Sequence, residues 1–491
     1  MIMTNQSPHL PNNRFGLWPQ WLAALELLLM SMMVGLISGW TSPYLAKLDS
    51  IENPDSELPI NKVEASWIAS LINLSRPGGA ILGAIFVYVI GSKVTTLLAG
   101  IPFALGWASF IIMNSVTLVY VSRTLCGIGL GMYYSSFPLY VGEISHPRIR
   151  GALVALIMQG LMLGNLCGTI MGKYLDMWFF ASISLIPNLI FLGSFSLMPQ
   201  TPHYLVHSNK MEEAAKSIRF YNRNADVTNE LDALKQFMET NKALTLRDTW
   251  QALNTPLNRK TLLMVNIIFA FVQLSGLYTI SAYMEIMLTK ANVDIIKPST
   301  LVISVSIISI ASSWIATYTN DKCGRKIMLL LSSIGVASGM FLWGLNYQLL
   351  DLGYKNPNLQ WMSIIAAIVY QFSLAIGLMP VPTTFISEMF APSVKGIGAC
   401  ISSGISGVFA FTASRSYQPM VDVLSEKYVF WIYGLLMITT GIYTMIFIPE
   451  TKGKSLAEIQ EILSRGIKFK FNNHNNKSQV YNENFRITEK V

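Results

Sequence analysis

The stretch Glu143-Ile-Ser-His-Pro147-Arg-Ile-Arg150-Gly151 recurs later in the chain as Glu388-Met-Phe-Ala-Pro392-Ser-Val-Lys395-Gly396. In both copies a proline lies four positions after the glutamate, a basic residue seven positions after it and a glycine eight positions after it. The copies are 245 residues apart, and each follows a long apolar run. This spacing predicts that the chain consists of two related halves.

Two further pairs of short motifs repeat in the same order. Pro199-Gln-Thr201 reappears as Pro449-Glu-Thr451, and Gly91-Ser-Lys93 reappears as Gly324-Arg-Lys326, at offsets of 250 and 233 residues. Such a parallel duplication is typical of transporters whose solute site lies between the halves, near the middle of the membrane. A duplicated channel is the rival interpretation, but the sequence shows no selectivity-filter motif.

Each half contains six apolar runs. A helix needs about 20 mostly apolar residues to cross a bilayer, because its backbone groups must be hydrogen-bonded within the segment. We therefore predict an all-α integral membrane fold of twelve transmembrane helices in two six-helix halves. The runs lie near residues 18–40, 65–88, 94–116, 118–140, 151–172, 178–198, 261–284, 299–319, 326–348, 361–387, 397–418 and 428–448.

The composition agrees with a membrane protein. Apolar residues make up 52% of the 491 residues and charged residues 13%, whereas soluble globular chains carry about 25% charge. This argues against a soluble enzyme, a disordered scaffold or a nucleic-acid-binding protein, even though the net charge is +8. Nine of the 35 Lys and Arg residues lie in 199–260. Because basic loops stay in the cytosol, this segment and both termini are predicted to be cytosolic.

These boundaries predict five segments. They are a cytosolic N-tail (1–17), a first six-helix bundle (18–198), a cytosolic linker with short helices (199–260), a second six-helix bundle (261–448) and a cytosolic C-tail (449–491).

The motifs resemble those of the sugar porter family of the major facilitator superfamily. The matches include Pro138-Leu-Tyr-Val-Gly-Glu143, Asp321-Lys-Cys-Gly-Arg-Lys326, Gln273-Leu-Ser-Gly276 and Pro449-Glu-Thr-Lys-Gly453. Finer details, such as Ser38-Gly-Trp-Thr-Ser-Pro43, look like insect facilitated trehalose transporters. The resemblance implies a transporter rather than an enzyme, with a small-molecule sugar as substrate and alternating access as mechanism.

The resemblance also implies a cytosolic latch that pairs charges across the halves when the outside is open. Each exposed pair contributes only about 0–1 kcal/mol, which suits a switch between states of similar energy. The alternative is that these charges only cap helices and fix the topology. The first-half copy departs from the family pattern, because Tyr88 and Ser92 replace charged residues. The latch candidates are Glu143, Arg150, Glu388, Lys395, Asp321, Arg325 and Lys93.

The substrate site departs further from the family. Gln273 matches a family glutamine, but Val272, Ala375 and Ser406 stand where relatives carry amide, acidic or polar groups that hold a hexose. Three interpretations remain open: a pocket for a disaccharide such as trehalose, a site for a less polar solute, or a sugar sensor that does not transport. The predicted substrate-binding residues are Gln273, Tyr278, Gln159, Ser309 and Thr383, and the candidate hinges are Gly276, Gly377, Pro380 and Pro382.

Three charged residues lie deep inside the predicted helices: Glu26, Arg76 and Arg123. Charges inside a membrane are costly and mark functional sites. Glu26 and Arg76 lie at similar depths, which predicts a structural ion pair. In proton-coupled relatives the arginine at Arg123 faces an aspartate, and Thr41 stands there instead. Facilitated diffusion is therefore favoured over the alternative of proton-coupled symport.

Other classes of site and partner are not expected. His203 and His207 have a ligand-like spacing but no accompanying glutamate, so no metal site is predicted, and no motif calls for a cofactor. The four cysteines are predicted to be free thiols. The lipid bilayer is the expected environment, with the plasma membrane as the default, and no nucleic acid or obligate protein partner is implied.

Overall fold

The computed structural model describes residues 14–48, 58–112, 115–146, 148–240, 251–354, 356–390, 394–454 and 456–465. Within these ranges, twelve helical segments are long and apolar enough to cross a membrane, which confirms the predicted number. They are numbered spans 1 to 12 in chain order: Trp18–Leu48, Lys62–Ile90, Ser92–Ile111, Val116–Ile144, Arg150–Tyr174, Met177–Ser196, Pro256–Lys290, Pro298–Asn320, Arg325–Asp351, Pro357–Met389, Lys395–Leu424 and Glu426–Phe447. The outer parts of both predicted tails, 1–13 and 466–491, lie outside the described residues.

Three spans are built from more than one helix. Span 1 divides into Trp18–Gly39 and Thr41–Leu48, and span 7 divides into Pro256–Leu274 and Leu277–Lys290. Span 10 contains a π-helical turn, Leu374–Leu378, a feature that often marks functional sites. The hinge candidates Gly276, Gly377 and Pro380 lie at these interruptions, and Pro382 lies two residues further on.

The two halves repeat the same packing. Span 1 packs against span 5, span 2 against span 4 and span 3 against span 6, and the second half pairs spans 7 and 11, 8 and 10, and 9 and 12. The halves meet where span 2 contacts span 11 and where span 5 contacts span 8. Exchanging the halves converts one of these contacts into the other, so the fold has the symmetry that the repeated motifs predict.

Spans 1 and 5 approach each other closely because glycines line their contact. A Cβ atom added at Gly164 would lie 2.1 Å from the carbonyl oxygen of Met32, and one added at Gly35 would lie 2.1 Å from that of Leu161. Small residues allow such approach in membrane helices, where van der Waals packing rather than the hydrophobic effect drives association.

The described residues between the halves include three short helices, Pro202–His207, Met211–Tyr221 and Val227–Thr240. The second of these is fixed to the first half, because Gln20 Nε2 donates a hydrogen bond of 3.1 Å to the carbonyl of Tyr221. A further helix, Leu456–Arg465, follows span 12 and accepts a bond from Lys260 Nζ at the Leu463 carbonyl (3.0 Å). We call this end of the bundle the linker face and the opposite end the far face.

Candidate functional site

A central cavity of about 180 Å³ lies between the halves. Spans 1, 2, 4 and 5 line it from one side, and spans 7, 8 and 10 line it from the other. Its described lining combines apolar side chains with amides and hydroxyls, and it contains one cation, Arg123, and no acidic residue. Such a mixture suits a solute with hydroxyl groups and apolar C–H faces.

The far face is closed by bonds between the halves. The Ser42 hydroxyl accepts a bond of 3.0 Å from the backbone N–H of Glu285, and Lys173 Nζ donates one of 2.7 Å to the Thr300 hydroxyl. Arg415 Nη1 donates to the Ser66 hydroxyl at 3.1 Å. The helix Thr41–Leu48 also packs against Leu277–Lys290, so both broken spans contribute to the closure.

At the linker face, the predicted latch residues bond within their own halves. In the second half, Arg325 Nη2 lies 3.0 Å from Glu388 Oε1, and Lys395 Nζ donates to the Ser387 carbonyl at 3.4 Å. The side chain of Asp321 lies outside the described part of the structure.

In the first half, the Ser92 hydroxyl donates to Glu143 Oε2 at 2.6 Å, and Lys93 Nζ donates to the Ser196 carbonyl at 3.0 Å. Arg150 Nε donates to the Ser145 hydroxyl at 3.1 Å. These bonds indicate a conformation closed at the far face and unlatched at the linker face. The predicted latch would form in the opposite conformation, in which the far face is open, so it stays a prediction.

His203 lies close to this first-half cluster. Burial lowers the pKa of His203, a hydrogen bond to the Glu143 backbone opposes that effect, and the charge of Arg150 lowers the pKa further. The imidazole is therefore neutral at pH 7 and adds no positive charge to the linker face.

Two of the five predicted substrate residues line the cavity. Tyr278 does so just after the break in span 7, and Ser309 does so from span 8. The Ser309 hydroxyl accepts a bond of 2.9 Å from Gln371 Nε2, which belongs to span 10. The cavity thus joins groups from three spans of the second half.

The other three predicted residues are not among the cavity-lining residues. Gln273 Nε2 donates to the Ser406 hydroxyl at 2.7 Å, and Gln159 Oε1 accepts from the Ser313 hydroxyl at 3.1 Å. Thr383 is exposed and donates to the Pro380 carbonyl at 2.7 Å. Gln159 instead joins spans 5 and 8, and Thr383 bonds within its own helix.

Sequence reasoning missed several polar residues of the cavity. Asn165 accepts a bond of 3.3 Å from the Ser306 hydroxyl across the halves, and Gln371 bonds Ser309 as described above. Asn73, Tyr134 and Tyr370 also line the cavity. An amide inside an apolar run is a usable signal, because it must find a hydrogen-bond partner within the protein or a ligand.

The predicted ion pair between Glu26 and Arg76 is wrong in this conformation. Glu26 Oε2 accepts a bond of 2.7 Å from the Ser194 hydroxyl, within the first half. Arg76 crosses to the second half, where it donates to the Tyr278 hydroxyl at 3.1 Å and to the Ser406 hydroxyl at 2.9 Å. Similar depth did not bring the two together, because the helices present these side chains to different neighbours.

Arg123 is buried at the break in span 1. Its guanidinium donates to the Ile37 carbonyl at 3.0 Å and to the Thr41 hydroxyl, and it lies 4.1 Å from the centre of the Trp40 ring. Thr41 therefore faces Arg123, as the sequence predicts. These partners are all uncharged, so none of them balances the positive charge of the guanidinium beside the cavity.

The amino-acid sequence of the chain is similar to those of known proteins over most of its length. A family model described as "Sugar (and other) transporter" matches residues 23–463. The facilitated trehalose transporter Tret1 of Bombyx mori is 27% identical over 455 residues, which cover 92% of this chain and 88% of that protein. Tret1 of Apis mellifera ligustica is 28% identical over 443 residues, which cover 90% of this chain and 87% of that protein.

Solved structures share the fold. The proton:xylose symporter XylE bound to 6-bromo-6-deoxy-D-glucose superposes with a TM-score of 0.71 at 19% identity, over 91% of this chain and 99% of that chain. The inward-open xylose transporter XylE from E. coli superposes with a TM-score of 0.71 at 19% identity, over 90% of this chain and 99% of that chain. These neighbours confirm the predicted major facilitator fold.

Proposed function

Because the chain belongs to the family of sugar and other transporters, we propose that it moves a sugar across a membrane by alternating access. The observation that carries this proposal is the central cavity, which combines apolar side chains with amides and hydroxyls, lies between two repeated halves and is closed at the far face. A rearrangement that opens the far face and engages the linker-face charges would expose the same cavity to the other side of the membrane.

Trehalose is the first candidate among sugars. The support comes from the Tret1 relatives, which are named facilitated trehalose transporters and which this chain matches over most of their length. The cavity offers Asn165, Ser309 and Gln371 as polar contacts, so its hydrogen-bonding groups differ from those that the family resemblance implies. A hexose is the alternative sugar. Transport of a less polar solute, or binding of a sugar without transport, would be a separate outcome of the test.

Facilitated diffusion is the proposed mode of transport. Proton coupling needs a group that gains and loses a proton during the cycle, and the described cavity lining contains no acidic residue. Thr41, which bonds Arg123, does not titrate in the physiological range. The fold neighbour XylE is a proton:xylose symporter, so symport is the alternative to be tested.

The linker face is the proposed cytosolic side, because it carries the basic linker, the start of span 1 and the end of span 12. In this orientation the structure is closed to the outside. The plasma membrane is the proposed location. The proposed latch would pair Glu143 and Arg150 with Glu388 and Lys395 when the far face opens.

Uptake by proteoliposomes tests the function. Purified protein is expected to give saturable uptake of labelled trehalose that stops when the inside and outside concentrations are equal. Unlabelled trehalose should compete better than fructose or a polyol. Binding without uptake would support a sensor, and accumulation driven by an imposed pH gradient would replace facilitated diffusion with proton symport.

A further inference from the structure

Arg76 keeps an uncompensated charge in the middle of the molecule. It lies in span 2, is 4% exposed, and its two described bonds go to the hydroxyls of Tyr278 and Ser406. Both partners are neutral, and no ion pair of the described residues includes Arg76. A buried cation without an acidic partner is strongly unfavourable in a medium of low dielectric constant.

Arg123 adds a second positive charge on the other side of the cavity wall. It is 2% exposed, and its partners are the Ile37 carbonyl, the Thr41 hydroxyl and the face of Trp40. These dipoles stabilise a guanidinium but cancel no charge. Since the described lining has no carboxylate, the two arginines give the cavity a positive potential.

Unpaired polar atoms surround Arg76. Its own Nε, the Oε1 of Gln273 and both amide atoms of Asn73 are buried without a hydrogen-bond partner among the described residues. Asn73 lies one helical turn from Arg76 on the same face of span 2, and it lines the cavity. Buried polar groups are normally satisfied, so this cluster indicates a place for a polar ligand.

We propose that the cavity selects a sugar acid, with its carboxylate bonded to Asn73, which lines the cavity, and stabilised by the charge of Arg76, which lies behind the lining one helical turn away. The inference rests on the proposed function, the transport of a sugar, and replaces trehalose with a sugar acid as the preferred substrate. A carboxylate accepts a charge-assisted hydrogen bond from the amide N–H of Asn73, and its negative charge balances the buried guanidinium of Arg76. The hydroxyl groups of the sugar ring would bond Gln371 and Asn165, which line the cavity.

The proposal has an electrical consequence. A neutral sugar carried by facilitated diffusion moves no charge, whereas a monoanionic sugar acid carries one negative charge per cycle. Transport of the acid should therefore generate a current and respond to membrane voltage.

The test compares glucose derivatives that differ at C6, with trehalose as a neutral disaccharide beside them. Proteoliposomes are offered D-glucuronate, its uncharged analogue D-glucuronamide, D-glucose, trehalose and glucose 6-phosphate. Glucuronate is expected to show a KM about tenfold or more below that of glucuronamide, because one charge-assisted hydrogen bond separates them. A current should accompany glucuronate and not glucuronamide.

Three variants test whether the preference for glucuronate depends on Arg76. R76Q should bring the two KM values together, and R76K, which keeps the charge, should preserve part of the difference. R415Q is the matched control, because Arg415 also bonds across the halves, but its partners Ser66 and Trp67 lie about two helical turns of span 2 away from Asn73. Gel filtration of each purified variant shows that it folds.

The outcomes separate the inference from the proposed function. Equal KM values for glucuronate and glucuronamide, or a preference for glucose 6-phosphate, would overturn the sugar-acid proposal while neutral-sugar uptake keeps the proposed function intact. Absence of uptake for every sugar would overturn both. Loss of the preference in R415Q to the same extent as in R76Q would also contradict the assigned role of Arg76.

Discussion

The Tyr278 hydroxyl is a single group on which a contact between the halves depends. It accepts a hydrogen bond from Arg76 and lines the cavity. We expect Y278F to leave a buried guanidinium N–H unpaired, at a cost of about 1.5–3 kcal/mol. Thermal unfolding of the purified protein in detergent should therefore show a Tm several degrees lower. Y88F is the control, because Tyr88 is 69% exposed and should not affect Tm. Equal Tm values would show that the bond contributes nothing.

Individual residues show where sequence reasoning succeeds and where it ends. The family resemblance places Thr41 opposite Arg123, because the pair Gly39-Trp40 identifies the position that faces the arginine in proton-coupled relatives. Sequence reasoning paired Glu26 with Arg76 from their depth alone, but depth leaves the rotation of each helix about its axis undetermined. The sequence does not single out Asn165 and Gln371, because the family motifs place the substrate-binding groups at other positions.

At the scale of elements, the break in span 7 depends on Gly276. Its φ is +83°, a left-handed value that costs other residues about 1–2 kcal/mol, and an added Cβ would lie 2.7 Å from the Tyr433 ring. We expect G276A to lower Tm and reduce sugar uptake together. G78A is the control, because Gly78 lies within a helix and an added Cβ would meet nothing within 4 Å. An active and stable G276A protein would show that the break tolerates a side chain.

Most of the elements could be predicted from the sequence. Twelve apolar runs and three repeated motifs sufficed for the number of spans and their division into halves, because the bilayer fixes helix length and forbids unpaired backbone groups. The break after Gly39 was not predicted. It lies at the end of the predicted run 18–40, and the helix beyond it, Thr41–Leu48, is more polar and packs against Leu277–Lys290.

For the whole molecule, transport requires the far face to open. Lys173 and Thr300 approach each other there from opposite halves, with 2.7 Å between Nζ and Oγ1. We expect a short bifunctional thiol reagent to cross-link K173C/T300C and abolish uptake, because the halves could no longer separate. Each single cysteine variant, treated in the same way, should keep its uptake. Continued transport by a fully cross-linked protein would contradict alternating access through this opening.

The orientation of the whole molecule can be tested with a cysteine that is already present. Cys323 is exposed at the linker face, whereas Cys126 is buried and Cys167 and Cys400 are partly buried. If the linker face is cytosolic, a membrane-impermeant maleimide should label the protein only after the cells are permeabilised, and C323S should abolish that labelling. Labelling of Cys323 in intact cells would place the linker outside. The conformation in the structure would then be open to the extracellular side, and the proposed latch would close that side.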